Sequence, residues 1–272
     1  MKVLISADIE GTALTTHWEE CYPQTKPASS SAAGLQMTRE GAIAAGATEI
    51  VVKDAHSKGT NLDPNLLPAC ARIVRGNSGS PWSMVFGVDK SFDAAMFVGY
   101  HSAAGRGGNP LSHTETTDTV WVKLNGVKCS EFRLYSWACA SIGVPTVFLA
   151  GDQMLIDDSR EIHPLLRSVA VKEGFGGATV CLQPQEACRR IRRAGPAAGS
   201  DQGPLHPAGG VHPGGLLQGG QAGGEAGLFP RLYSGGRQHH PDAHPGLLGG
   251  APGGHVRAVK AGGRIPPWLS LG

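Results

Sequence analysis

Asp8 and Glu10 stand two residues apart at the end of a short apolar run, KVLIS, and are followed by Gly11. On an extended chain, residues two apart point to the same side, so both carboxylates can aim at one point. Two such acids repel and raise each other's pKa unless a cation lies between them. Two histidines occupy similar settings: His56 in VVKDAHS and His101 in MFVGYHS, each just past an apolar run. Imidazoles favour zinc, copper, nickel or iron over magnesium. Glu131, in NGVKCSEF, can add a third carboxylate. Five ligands exceed one catalytic zinc, which commonly has about three protein ligands and a water. Two ions sharing a bridging carboxylate would use all five; such pairs sit roughly 3.5–4 Å apart and can polarise a carbonyl while activating water. His113, in the polar loop NPLSHTETT, is a candidate acid–base group or nucleophile beside them, histidine being the usual carrier of protons at neutral pH.

Each residue has a plainer reading when taken alone. Asp54 and Asp152 read as turn or cap residues at strand ends. His56 and His113 read as loop histidines, and Glu131 as a solvated acid in the first turn of a helix, where it favours the dipole. Only the combination points to a site. AAGRGGNPLSH is rich in glycine but has no GxGxxG after a strand, so it is not read as a phosphate loop.

The elements that must position these groups follow from the pattern. KVLISAD, TEIVVKDAH, ARIVRG, DAAMFVGYH and VPTVFLAGD are short apolar runs, read as buried strands. AAGLQMTREGAIAAGA has helical character ending at Gly46, EFRLYSWACASIG is an amphipathic helix stopped by Gly143, and helical segments follow near 151–166 and 184–193. VWVKLNGVKCSEF is a hairpin turning at Asn125-Gly126. Strands alternating with helices predict an α/β fold: a mainly parallel sheet flanked by helices, with an inserted hairpin. Such sheets place ligands beyond the carboxyl ends of their strands, where Asp8, Glu10, His56 and His101 lie.

The chain has 272 residues and a net charge of +2, which gives no footprint for nucleic acid or an anionic membrane. It has no apolar run long enough to cross a bilayer, and the start meets an acid too soon for a signal peptide. The cysteines show no CxxC pairing and read as reduced thiols of a cytoplasmic protein. Composition breaks near residue 194. Residues 195–272 hold 22 of the 40 glycines and 10 of the 19 prolines but 3 of the 22 acids. The expected organisation is therefore an α/β domain over 1–193 and a Gly/Pro-rich, disordered tail over 194–272, which buries too little apolar surface to offset its ordering.

The motifs SADIEG, VVKDAHS, MFVGYHSAAG, LSHT, NGVKCSEF and GVPTVFLAGD resemble, in order and approximate spacing, the zinc D-aminopeptidase family represented by the bacterial dipeptide-operon enzyme. The resemblance covers residues 1 to about 193. It implies a metallopeptidase in which Asp8, Glu10, His56, His101 and Glu131 hold two zinc ions per subunit and His113 is the catalytic histidine. It also implies removal of N-terminal D-amino acids from short peptides by a homo-oligomer, a ring-shaped decamer.

Two departures accompany the resemblance. PASSSAAGLQMTREGAIAAGATEI is shorter than the family's usual helix between the first two strands, and the tail replaces the family's C-terminal part. Residues 228–250, back-translated and read one base later, can give YFPGCTRVDDNTIRMHTPDYWE, a string of globular character resembling that missing part. The tail thus reads as translation out of frame from near residue 193. Two rival readings remain at this stage: a magnesium-dependent exonuclease, since ADIEG resembles the D-x-E on the first strand of that fold, and an inactive homologue that only binds metal.

Overall fold

A computed structural model describes residues 1–22, 46–124 and 127–195, together with the backbone of 256–260. Strands β1 (Lys2–Ala7), β2 (Glu49–Asp54), β3 (Ala71–Val74), β4 (Ala94–Tyr100), β7 (Thr146–Asp152), β8 (Arg167–Phe175) and β9 (Ala178–Cys181) form a seven-stranded sheet in the order β3-β2-β1-β4-β7-β8-β9. Every pairing is parallel except that of β8 with β9. A second sheet joins β5 (Thr119–Leu124) to β6 (Val127–Lys128) and to β10 (Val256–Lys260), both antiparallel to β5. The helices are α1 (Glu131–Ser141), α2 (Gln153–Arg160) and α3 (Pro184–Ala194).

The central strands are apolar on both faces because both faces are covered. Along β1, Leu4 faces a core containing Phe132, Tyr135 and Ala138 of α1, while Val3, Ile5 and Ala7 face a core containing Ala187 and Ile191 of α3. Local signals set the helix starts. Ser130 accepts from the Arg133 N–H, Asp152 from the Leu155 N–H, and Pro184 opens α3 behind the Gln183 cap.

The chain winds outward from β1 through β2 to β3, then returns to β4 on the other side and continues through β7 to β8. The direction of winding reverses between β1 and β4, and the crevice at such a point is the usual ligand site of an open α/β sheet. The two strand ends meet closely there: Asp8 donates its N–H to the Val98 carbonyl at 2.8 Å and Gly11 to the Gly99 carbonyl at 2.7 Å. A Cβ on Gly11 would run into the Tyr100 carbonyl, and one on Gly99, whose φ is +72°, into the Asp8 carbonyl. Gly11 follows Glu10 because only glycine lets the chain turn away at that distance.

The expected strands, the helix over 131–143 and the two later helical segments are all present. Strands β8 and β9 were not foreseen. RSVAVKEGF carries Lys172 and Glu173 in mid-strand, which spoils an apolar pattern, yet Lys172 is buried. The expected helix after Tyr22, the Asn125-Gly126 turn and most of the tail lie outside the described residues. Within the tail, Val256–Lys260 takes strand form against β5.

Candidate metal centre

Asp8 and Glu10 follow β1, His56 follows β2 and His101 follows β4, while Glu131 is the first residue of α1. All five side chains are buried, between 1% and 7% exposed; Asp8, Glu10, His56 and Glu131 line one cavity, and His101 lies behind them against Asp8 and Glu131. His56 Nε2 lies 3.1 Å from Glu10 Oε1. His101 Nε2 lies 3.2 Å from Glu131 Oε2 and 3.6 Å from Asp8 Oδ2. His113 Nε2 is 3.5 Å from Glu131 Oε1, and its ring stacks on that of His101 with centroids 4.3 Å apart and 9° between planes. All six residues nominated from the sequence are thus brought together.

The donor geometry suits cations. His101 Nδ1 faces the Ser102 carbonyl at 3.0 Å and His113 Nδ1 the Leu111 carbonyl at 2.9 Å, which turns Nε2 of both rings toward the carboxylates. Four buried atoms, Asp8 Oδ2, Glu10 Oε2, His56 Nδ1 and His101 Nε2, have no hydrogen-bond partner among the described residues. Orphaned buried polar atoms are costly and rare. Ligand atoms of Asp8, Glu10 and His101 fall within 4.8 Å of one another, as do those of His101, His113 and Glu131. Carboxylate and imidazole donors at this spacing fit divalent zinc.

Without cations the cluster holds its charge uneasily. Burial, then Glu10 and Glu131, push the Asp8 carboxyl well above its ordinary range against the pull of His101 and His56. Burial opposes ionisation of Glu10 too, but the hydrogen bond and charge of His56, with His101 and His113, hold it low. Burial likewise opposes the charge of His56, yet the Glu10 hydrogen bond and the charges of Glu10 and Asp8 raise it to about 9. His101 rises to about 10: burial is outweighed by Glu131, then by Glu10 and Asp8.

A second layer braces this set. Asn109 Nδ2 donates to the Glu10 carbonyl at 2.9 Å and to Asp152 Oδ2 at 3.2 Å, while Asp152 also accepts from the Ser102 N–H at 2.7 Å. Lys172 Nζ donates to the carbonyls of Glu10 and Thr15. The sequence reading left Asp152 as a cap, which it is, and did not nominate Asn109 or Lys172. It also missed Cys21, whose Sγ lies within 4.8 Å of ligand atoms of Glu10 and His56, and Glu115 with Tyr135. NPLSHTETT did carry a usable signal for Glu115, because it lies two residues after His113.

The cavity over this cluster has a volume of about 450 Å³. Trp18, Tyr22, Met84, Pro81, Leu134 and Tyr135 give it apolar walls, and no lysine or arginine lines it among the described residues.

A family model described as D-aminopeptidase matches residues 1–209. The D-aminopeptidase of Bacillus subtilis (strain 168) is 30% identical over 198 residues, 70% of this chain and 71% of that protein. Among solved structures, the Zn-dependent D-aminopeptidase DppA from Bacillus subtilis, a self-compartmentalizing protease, aligns with a TM-score of 0.68. It shares 26% sequence identity, over 72% of this chain and 73% of that one.

Proposed function

The chain belongs to the D-aminopeptidase family, and we propose that it is a zinc aminopeptidase that releases the N-terminal D-residue from short peptides. The reading rests on the unpartnered Asp8 Oδ2, Glu10 Oε2, His56 Nδ1 and His101 Nε2 buried beside a cavity of peptide-end size. Asp8, Glu10, His56, His101 and Glu131 would hold two zinc ions. Zinc supplies Lewis acidity there, polarising a carbonyl and making a water acidic enough to attack near neutral pH. His113, oriented by its Nδ1 contact with Leu111 and its stacking on His101, presents Nε2 to the cavity, where it stabilises the developing oxyanion or protonates the leaving amine. The apolar walls exclude water from the reacting bond.

The histidines, and the absence of basic residues from the cavity wall among the described residues, speak against the magnesium nuclease, which needs a cationic groove. The neighbour's description as self-compartmentalizing supports a homo-oligomer here as well. Release of D-alanine from D-alanine amide by the zinc-loaded chain, with zinc counted per subunit, tests the reading. Zinc bound at about two per chain without hydrolysis of any D-aminoacyl amide would leave the inactive homologue in its place.

For residues 194–272 we propose translation in a shifted frame replacing a family C-terminal part. Sequencing the coding DNA across codons 185–200 is the test: an unbroken frame with no globular product one base over overturns it.

A further inference from the structure

We propose that Glu115 is a specificity-determining residue of this site, the carboxylate that anchors the free α-ammonium group of the substrate. The inference rests on the aminopeptidase reading and adds what selects the substrate's end.

Glu115 sits in the loop that carries His113 and lines the same cavity as Asp8, Glu10 and Glu131. Its backbone is held in an unusual form. The Thr116 N–H donates to the Thr114 carbonyl at 2.8 Å across Glu115, whose φ is +64°. A hydrogen bond between residues two apart with positive φ at the centre is a γ-turn of the rare, strained kind. Its surroundings pin it: buried Thr114 accepts from the Ala104 N–H at 3.1 Å and donates to the Cys129 carbonyl at 2.9 Å. The Glu115 N–H donates to Glu131 Oε1 at 2.7 Å. The side chain is fixed too, by the Tyr135 hydroxyl donating to Oε1 at 2.7 Å. Oε2 has no hydrogen-bond partner among the described residues, and the residue is exposed to solvent where it lines the cavity.

The charge count selects the ligand. Asp8, Glu10 and Glu131 are the acids assigned to cations, and Glu115 is the acid left over. No lysine or arginine lines the wall among the described residues, so a substrate cation meets no competing protein cation at Glu115. A primary ammonium group fits: it carries three donors and a compact charge, and charge-assisted hydrogen bonds are the strong ones. An acylated amine offers no charge and a larger group, so the same carboxylate rejects a blocked N-terminus. Glu115 therefore restricts the site to cleavage next to a free amine.

The test compares D-alanine amide with N-acetyl-D-alanine amide on the zinc-loaded full chain, reading binding by calorimetry, then KM and kcat. The intact protein should prefer the free amine. Glu115→Gln, which keeps the size and the Tyr135 contact, should raise Kd and KM for D-alanine amide about tenfold, the scale of one charged hydrogen bond, with zinc content and kcat nearly unchanged. Glu115→Asp should recover part of the loss. Tyr135→Phe, which frees the carboxylate without removing it, should raise KM by a smaller factor. If Glu115→Gln keeps the full preference, or loses zinc and kcat rather than KM, the anchor is overturned. Failure of the aminopeptidase reading looks different: the intact chain would bind D-alanine amide with a Glu115-dependent preference but not cleave it. Binding of neither compound overturns the anchor as well.

Discussion

Three strands of the sheet end in buried acids, and the ends are built in opposite ways. Past β1, Asp8 and Glu10 each keep an oxygen without a hydrogen-bond partner among the described residues. At the end of β2, Asp54 accepts from the N–H groups of Asn61 and Leu62 at 2.6 and 2.7 Å and from Asn61 Nδ2 at 2.9 Å. At the end of β7, Asp152 accepts from Leu155, Ser102 and Asn109. A buried carboxylate needs its acceptor capacity filled. Where the chain fills it, the acid holds loops together; where the chain withholds donors, the proposed site has a cation fill it.

The widest break in this comparison comes from Asp8→Ala. It should lower zinc affinity by more than about a hundredfold and abolish hydrolysis, because outer-layer changes alone commonly cost 10–100-fold. The zinc-free protein should be no less heat-stable than its parent. Asp8 is pushed well above its ordinary range by burial, Glu10 and Glu131, so its charge opposes folding once pH exceeds its unfolded pKa. Dialysis followed by metal counting and a melting curve checks both halves; a large drop in zinc-free melting temperature would make Asp8 another structural acid. Asp152→Ala should behave in reverse, costing roughly 2 kcal/mol of stability by leaving buried donors unpaired. Its zinc loss should be smaller, and urea denaturation of the zinc-free protein reads the difference.

Much of this was legible in the sequence, for identifiable reasons. Asp8 with Glu10, His56 and His101 each follow a buried apolar run, so position alone marked them, and the parallel sheet followed from the same runs. The division between open and filled acids was not legible. Asp54 is filled by Asn61, a loop residue with no sequence signature, and Asp152 by Ser102 and Asn109, some forty to fifty residues away. Strand β8 was hidden because Lys172 is charged and buried, an exception only the third dimension explains. Glu115 was marked only by its place two residues after His113; the positive φ that sets its backbone is not one that glutamate announces.

The comparison sharpens with pH. In the zinc-free protein His56 and His101 titrate at about 9 and about 10, above the ordinary histidine value, so both are protonated at pH 7. Their raised pKa values stabilise the zinc-free fold fully below about pH 6.5, and that stability fades as pH climbs through 9 to 10. Zinc must displace those protons, so loading at pH 7 should release about two from the imidazoles, and affinity should rise with pH. Calorimetry in buffers of different ionisation enthalpy measures the release. Zinc uptake without proton release at pH 7 would mean that the histidines are not ligands.

The smallest expected effect lies behind the site. Lys172 reaches from β8 to the carbonyls of Glu10 and Thr15, a cation placed on the backbone of the open acid rather than on its carboxylate. Had it paired with the carboxylate, it would have filled the capacity that zinc requires. Burial lowers its pKa, with Asp152, Cys181, Cys21 and Glu10 opposing that shift, so its ammonium group carries a desolvation cost that Met would not. Lys172→Met should therefore leave stability nearly unchanged while Glu10 loses its brace. Zinc affinity should fall by about tenfold or less, the low end for an outer-layer change. Lys172→Arg, too large for the same pocket, should not restore it. Unchanged zinc affinity together with a large loss of stability would show that Lys172, like Asp54 and Asp152, serves the fold and not the open end of β1.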